Sequence, residues 1–337
     1  MQGIGALPYC MKCAGVCGDV RGPATTRADR HACRTEERLA RMARTSSEPH
    51  ACDMLRAMPE PERPSLASVQ HWMEAIYIAV AGAHLRDEDR RKSRQVLAML
   101  DEVARALRGM SARREVTIVD AAAGKSYLGL LAAKLVVEPS GRAARVVTIE
   151  RDPARVAASA AAVTLLASRV PIECREGLVT DEAVWPQSPS LVVALHACGT
   201  ASDDVIAQAI ARRARMLLLV PCCTSDAVVQ AAPVERWLSA AAMPPHAPVR
   251  VRFTQAIVDA DRTWRLEVAG YETEVVEFVG ATVTPHNLLW RARLVGEPRR
   301  MAAAASSLRE LRGERAGTGE GAPPACAPHD RAPRSEV

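Results

Sequence analysis

The 337 residues suffice for one large domain with a substantial core plus a helical extension, yet only 3% are aromatic, with Phe only at 253 and 278. Such a core must be built from Ala, Val and Leu, which suits helices packed on a parallel sheet. The net charge is +5, but only four of the 44 basic residues are lysine, so the arginine excess reads as compositional bias rather than as a nucleic-acid footprint. No segment reaches the roughly 18 apolar residues of a membrane span. Met1 to Cys17 lacks the basic start and apolar run of a signal peptide. A soluble, cytoplasmic protein without membrane partners is therefore expected, whose ten cysteines read as thiols or metal ligands before disulfides.

Residues 1–60 contain Cys10, Cys13, Cys17, Cys33 and Cys52 with His31 and His50, among Pro, Gly, Thr and Arg. Cys10-x-x-Cys13 with His31-x-Cys33 can ligate zinc, but the spacing follows no zinc-finger pattern, and a poorly ordered extension is the simpler expectation. Residues 61–112 read as a helical cap. Val69, Trp72, Met73, Ile76, Tyr77 and Val80 recur at helical steps, as do Val96, Leu97, Leu100, Val103, Ala104 and Leu107. The charged run Arg86 to Arg94 is expected between these helices as a solvated face, with its basic half the first choice for contact with RNA.

Residues 113–298 read as alternating strands and helices. Val116, Ile118 and Val119 form a strand ending at Asp120; Ala121-Ala122-Ala123-Gly124-Lys125 makes a turn, and a helix begins near Ser126. Such a turn lets backbone N–H groups approach a ligand, while an acid at the strand tip can hold a cationic or hydroxylated group. Only Gly124 is a glycine here, so a dinucleotide cradle is weakly supported, and a phosphate-free ligand such as S-adenosylmethionine asks for less glycine. The second strand, Arg145 to Glu150, also ends in an acid, followed by Arg151, Asp152, Pro153 and a helix to Ala167. A carboxylate there can accept from both ribose hydroxyls, which makes Glu150 the candidate ribose ligand.

A third strand, Pro171 to Arg175, leads to Glu176 and Gly177. The fourth, Leu191 to Leu195, ends in His196-Ala-Cys198-Gly199, with Ser202 or Asp203 expected to cap the next helix. The fifth, Met216 to Val220, ends in Pro221-Cys222-Cys223. If the fourth and fifth strands are neighbours, His196, Cys198, Cys222 and Cys223 converge in a catalytic, structural or metal-binding group. A helix from Phe253 to Ala269 precedes strands Tyr271–Val279 and Leu288–Val295, a pair expected to form a reversed edge on an otherwise parallel sheet. Residues 299–337 read as a short helix and a disordered tail from Gly313.

These residues resemble the class I S-adenosylmethionine-dependent methyltransferases. The nearer likeness is to the methyltransferase-domain family that includes the eukaryotic tRNA ribose 2′-O-methyltransferase with an N-terminal zinc finger. Asp120-Ala-Ala-Ala-Gly-Lys-Ser-Tyr-Leu128 is similar to that family's Asp-x-Gly-x-Gly-Lys-Gly-Tyr-Leu, with Ala122 and Ser126 replacing two glycines. His196-Ala-Cys-Gly-Thr-Ala-Ser-Asp203, the Cys222-Cys223 pair and Thr284-Pro-His-Asn287 also resemble family motifs. The resemblance spans about residues 90 to 296 and leaves out the N-terminal cysteines. It implies an α/β, Rossmann-like fold with a mostly parallel seven-stranded sheet, an antiparallel last strand and an N-terminal helical extension. It further implies S-adenosylmethionine as cofactor and favours RNA (tRNA or rRNA) as acceptor. The N-terminal cysteines do not reproduce the relative's zinc module, so tRNA recognition is not inherited from it, and no metal ligands are assigned.

On that reading Asp120, Ala121, Gly124 and Lys125 surround the methionine part and Glu150 with Arg151 the ribose. Gly177 lies by the adenine, where Leu178 stands in place of a frequent acid, and Leu195 and His196 lie beneath the methyl. His196 is the expected base for a ribose hydroxyl. Cys222 or Cys223 is the alternative, as a nucleophile on a pyrimidine ring. A protein or small-molecule acceptor, or a non-catalytic S-adenosylmethionine- or RNA-binding module, is the competing reading.

Overall fold

The computed structural model describes residues 63–78, 82–221, 234–244 and 248–314. The N-terminal Cys/His residues, Cys222, Cys223 and the tail from residue 315 lie outside them. Helices α1 (Leu66–Met73) and α2 (Asp87–Arg108) precede the sheet. Strands and helices then alternate as β1 (Val116–Ala121), α3 (Tyr127–Ala132), β2 (Ala144–Glu150), α4 (Pro153–Leu166), β3 (Ile172–Glu176) and β4 (Leu191–Ala197). After them come α5 (Ala201–Ala211), β5 (Met216–Pro221), α6 (Val234–Ala240), α7 (Pro248–Val268), β6 (Tyr271–Glu277), β7 (Leu288–Leu294) and α8 (Pro298–Arg312).

The seven strands form one sheet in the order β3-β2-β1-β4-β5-β7-β6. Strands β1 to β5 pair in parallel, and β7 pairs antiparallel with both β5 and β6. The last strand β7 is antiparallel and pairs with β6, as expected; it lies inside the sheet, and β6, parallel to β5, takes the edge. Strand order reverses between β1 and β4, which opens a crevice at their C-terminal ends. All six residues of β1 are buried, as befits a central parallel strand covered on both faces. Ile118 joins a core with α1 and α2, whereas Val119 joins one with α5 and β7.

The charged run does not separate two helices; most of it is the first two turns of α2. Asp87, Glu88 and Asp89 occupy the first turn, where carboxylates meet the positive end of the helix dipole, and Asp89 accepts the Arg86 N–H at 3.1 Å. Seven residues apart on α2, Gln95 and Glu102 lie buried within its apolar stripe. Arg291 of β7 clamps Glu102 through Nε and Nη2, each 2.8 Å from a carboxylate oxygen, so α2 is tied to the sheet from its middle. At α5 the expected caps are displaced. The Ser202 hydroxyl donates to the Ala197 carbonyl at 2.6 Å, and Asp203 pairs with Arg262 and Arg265.

Candidate active site

A cleft of about 250 Å³ opens at the C-terminal ends of β2, β3 and β4, lined by Glu150, Arg151, Gly177, Leu178, His196 and Asp204 among others. Glu150 anchors it. Its Oε2 accepts the Gly124 N–H at 2.8 Å and its Oε1 the Asp152 N–H at 3.1 Å, so the tip of β2 grips the turn after β1. On one wall Leu178 is 55% exposed, an apolar surface available to a flat ring. Gly177 is required beside it, because a Cβ there would stand 2.5 Å from Val184 Cγ1.

The turn after β1 keeps a glycine-like path although two of its expected glycines are absent. Ala122 and Ser126 both adopt left-handed φ values, 54° and 53°, with Gly124 between them at 59°. Left-handed backbone costs a non-glycine residue roughly 1 kcal/mol or more, so surrounding bonds must hold it. The Ala123 N–H donates to the Ile149 carbonyl at 3.0 Å, and the Ser126 N–H to the Ala123 carbonyl at 2.8 Å. The Ser159 hydroxyl reaches the Ser126 hydroxyl at 3.1 Å, and the Tyr77 hydroxyl donates to the Lys125 carbonyl.

Asp120 does not line the cleft. Its carboxylate turns beneath the turn and accepts the Gly129 N–H at 2.8 Å, with 2% of the residue exposed. Burial raises its pKa to about 7, against the Gly129 N–H and Lys92, which favour the charged form. The expected pair of carboxylates facing one cleft is therefore one carboxylate in the cleft and one under its floor. Ala121, Gly124, Lys125 and Leu195 are likewise not among the lining residues, while Glu150, Arg151, Gly177 and His196 are.

His196 owes its position to a bulge. Leu195 pairs with Val220 and Ala197 with Pro221, so His196 is the extra residue, at a left-handed φ of 66°. The bulge aims its imidazole toward α2, where Nε2 meets the Gln95 side-chain carbonyl. Gln95 accepts, so Nε2 carries the hydrogen and Nδ1 the lone pair. Burial lowers the His196 pKa to about 4, with Lys92 and His286 acting in the same direction. Cys198 also lines the cleft and is disulfide-bonded, contrary to the free thiol expected. Among the described residues no group of three or more His, Cys, Asp or Glu side chains is arranged to hold a metal.

A second cleft of about 380 Å³ lies on the same side of the sheet, lined by Pro221, Arg252, Asp259, His286, Asn287 and Trp290 among others. Burial raises the Asp259 pKa to about 6, with Arg262 opposing. Periodicity leaves several contributors unmarked. Gln95 and Lys92 sit on an amphipathic helix, and the polar residues Gln95 and Glu102 on its apolar face are the available signal.

Residues 91–229 match the family model described as a methyltransferase domain. Among solved structures, the chain is similar to magnesium protoporphyrin IX methyltransferase from Synechocystis PCC 6803 with bound SAH (14% identity, TM-score 0.38), covering 66% of this chain and 93% of that one. It is similar to an SAH-bound methyltransferase from Podospora anserina (12% identity, TM-score 0.40), covering 82% and 100%. It is also similar to the Pyrococcus abyssi tRNA (uracil-54, C5)-methyltransferase in complex with S-adenosyl-L-homocysteine (12% identity, TM-score 0.34), covering 60% and 38%. No curated protein matches. The matched stretch includes the β1/β4 boundary, where the strand order reverses beside the first cleft.

Proposed function

We propose that this protein transfers a methyl group from S-adenosylmethionine to RNA, with the first cleft holding the cofactor and the second the acceptor nucleotide. The observation that carries the acceptor is a cationic stripe on α2. Arg90, Arg91 and Arg94 are exposed and, among the described residues, have no ion-pair partner. They occupy the same helix that places Gln95 against His196, so a polyanion on that rim would lie beside the cleft.

The cleft residues suit the cofactor. Glu150 offers an acceptor pair for the ribose hydroxyls, and the exposed face of Leu178 suits the adenine. When bound, the cofactor supplies an electrophilic methyl on a sulfonium. The chain's own residues position the two reactants and exclude water. His196, held neutral by burial and oriented by Gln95, is the candidate base for the proton of a ribose hydroxyl. Arg252 and His286 line the second cleft and can meet the acceptor's phosphate or base edge.

Incubating the purified protein with methyl-labelled S-adenosylmethionine and cell extract, then separating RNA, protein and small molecules, tests the proposal. Label is expected in RNA, at a ribose 2′-oxygen or a base. Label confined to protein or metabolites would refute it.

A further inference from the structure

Two lysines and two tyrosines are stacked at the turn after β1. Lys92 Nζ lies 5.1 Å from the Tyr127 ring centroid, Tyr127 packs edge-on against Tyr77 at 4.9 Å, and Lys125 Nζ lies 5.8 Å from the Tyr77 ring. Among the described residues Lys92 makes no ion pair and no hydrogen bond. Asp89, one turn before it, is engaged by Arg86. Lys92 lies one helical turn from Gln95, the residue that meets His196 at the tip of β4. Its charge acts on Asp120 at the end of β1 and on His196. The half-buried ammonium is therefore beside the β1/β4 boundary, where the strand order reverses.

The turn itself offers an anion only part of its backbone. The N–H groups of Ala123, Gly124, Ser126 and Gly129 are already donated to Ile149, Glu150, Ala123 and Asp120. Among the described residues the N–H groups of Lys125, Tyr127 and Leu128 carry no such bond, so an anionic ligand group at this point would meet them together with a cationic side chain. Resting on the cofactor reading above, adenine and ribose occupy the β2 and β3 end of the cleft, so the amino-acid end extends toward β1 and β4. That end carries a carboxylate.

We infer that Lys92 is the cation that binds the methionine carboxylate of S-adenosylmethionine, a charge supplied by α2 beside the turn. Lys125, exposed at the turn's outer edge, adds to the field there. A half-buried ammonium with aromatic neighbours, near Asp120 but with no carboxylate in ion-pair or hydrogen-bond contact among the described residues, gains from such a ligand.

The test uses calorimetry on wild type, Lys92→Met and Lys92→Arg with two ligands. S-adenosylhomocysteine carries the amino-acid carboxylate; 5′-methylthioadenosine keeps the adenosyl thioether and lacks it. Lys92→Met is expected to weaken S-adenosylhomocysteine roughly 10- to 100-fold, as removal of one charge-assisted hydrogen bond would, while leaving methylthioadenosine affinity unchanged. Lys92→Arg is expected to restore most of that affinity. Unchanged S-adenosylhomocysteine affinity in Lys92→Met, or an equal fall for both ligands, overturns the inference. Failure of the wild type to bind either ligand would instead overturn the cofactor reading, and this inference with it.

Discussion

Glu150 accepts the Gly124 N–H at 2.8 Å, so the acid that ends β2 holds closed the turn that ends β1. The two carboxylates at the strand tips therefore divide the work. Glu150 faces the cleft, and Asp120 braces the start of α3 through the Gly129 N–H. With the N–H groups of Ala123, Gly124, Ser126 and Gly129 donated within the protein, side chains share in the site's recognition of charge.

The buried Asp120 carboxyl gives the stability of the protein a particular pH dependence. Its folded pKa of about 7 lies above the ordinary 3.8, so the native state retains the proton in that window and this contribution is lost as pH rises through 7. The His196 shift opposes it. With a folded value of about 4 below 6.5, the unfolded chain binds the extra proton and stability falls on acidification through that range. Asp120→Asn keeps an oxygen for the Gly129 N–H and removes one of the two slopes. Its melting temperature relative to wild type should climb between pH 5 and pH 8, with a free-energy change on the order of a few kcal/mol at most. A difference that stays flat across that range would contradict the assignment.

His196→Gln should bind S-adenosylhomocysteine as wild type does and lose roughly 10²-fold or more in turnover on RNA. Because His196 titrates near 4, the wild-type rate should show no acid limb from this group near pH 6.5. Single-turnover rates from pH 5 to 8 check both points. Full turnover in the variant would remove His196 from the chemistry.

Gly177→Ala should force Val184 or the Gly177 backbone at the adenine end of the cleft to shift, since the new Cβ meets Val184 Cγ1 at 2.5 Å. Affinity for S-adenosylhomocysteine is expected to drop at least about tenfold, with a stability loss on the order of 1–3 kcal/mol from overpacking. Titration calorimetry and thermal melts measure the two effects separately.

Replacing Arg90, Arg91 and Arg94 with Gln should weaken RNA binding without changing cofactor affinity. The dependence of log affinity on log salt should also flatten, by ~0.7 for each single-strand phosphate that the variant no longer neutralises. Fluorescence anisotropy at several salt concentrations gives the slope. An unchanged slope would place the RNA elsewhere.

Much of this architecture is legible in the sequence, because the β-branched runs of β1, β2 and β4 and the helices between them alternate at a period that admits a doubly wound sheet. The acids at the tips of β1 and β2 are equally plain. Their orientation is not, because a residue at a strand end can turn toward the cleft or under the following helix, and only the Gly129 N–H decides it for Asp120. Insertion of β7 between β5 and β6 depends on long-range pairing that a short turn does not encode. The roles of Lys92 and Gln95 are hidden for a related reason: their partners, Tyr127 and His196, are distant along the chain and meet them only through packing of α2. The charged run beginning at Arg86 reads as a solvated stretch between helices because its acidic half, the helix's own first turn, carries no apolar periodicity.

The most direct test of the cofactor site is calorimetric titration of S-adenosylhomocysteine into wild type and Glu150→Ala. One molecule should bind per wild-type chain, and Glu150→Ala should lose at least about tenfold in affinity while staying folded, as expected for removal of hydrogen bonds to a charged group. Absence of binding to the wild type, or undiminished affinity in the variant, would contradict it.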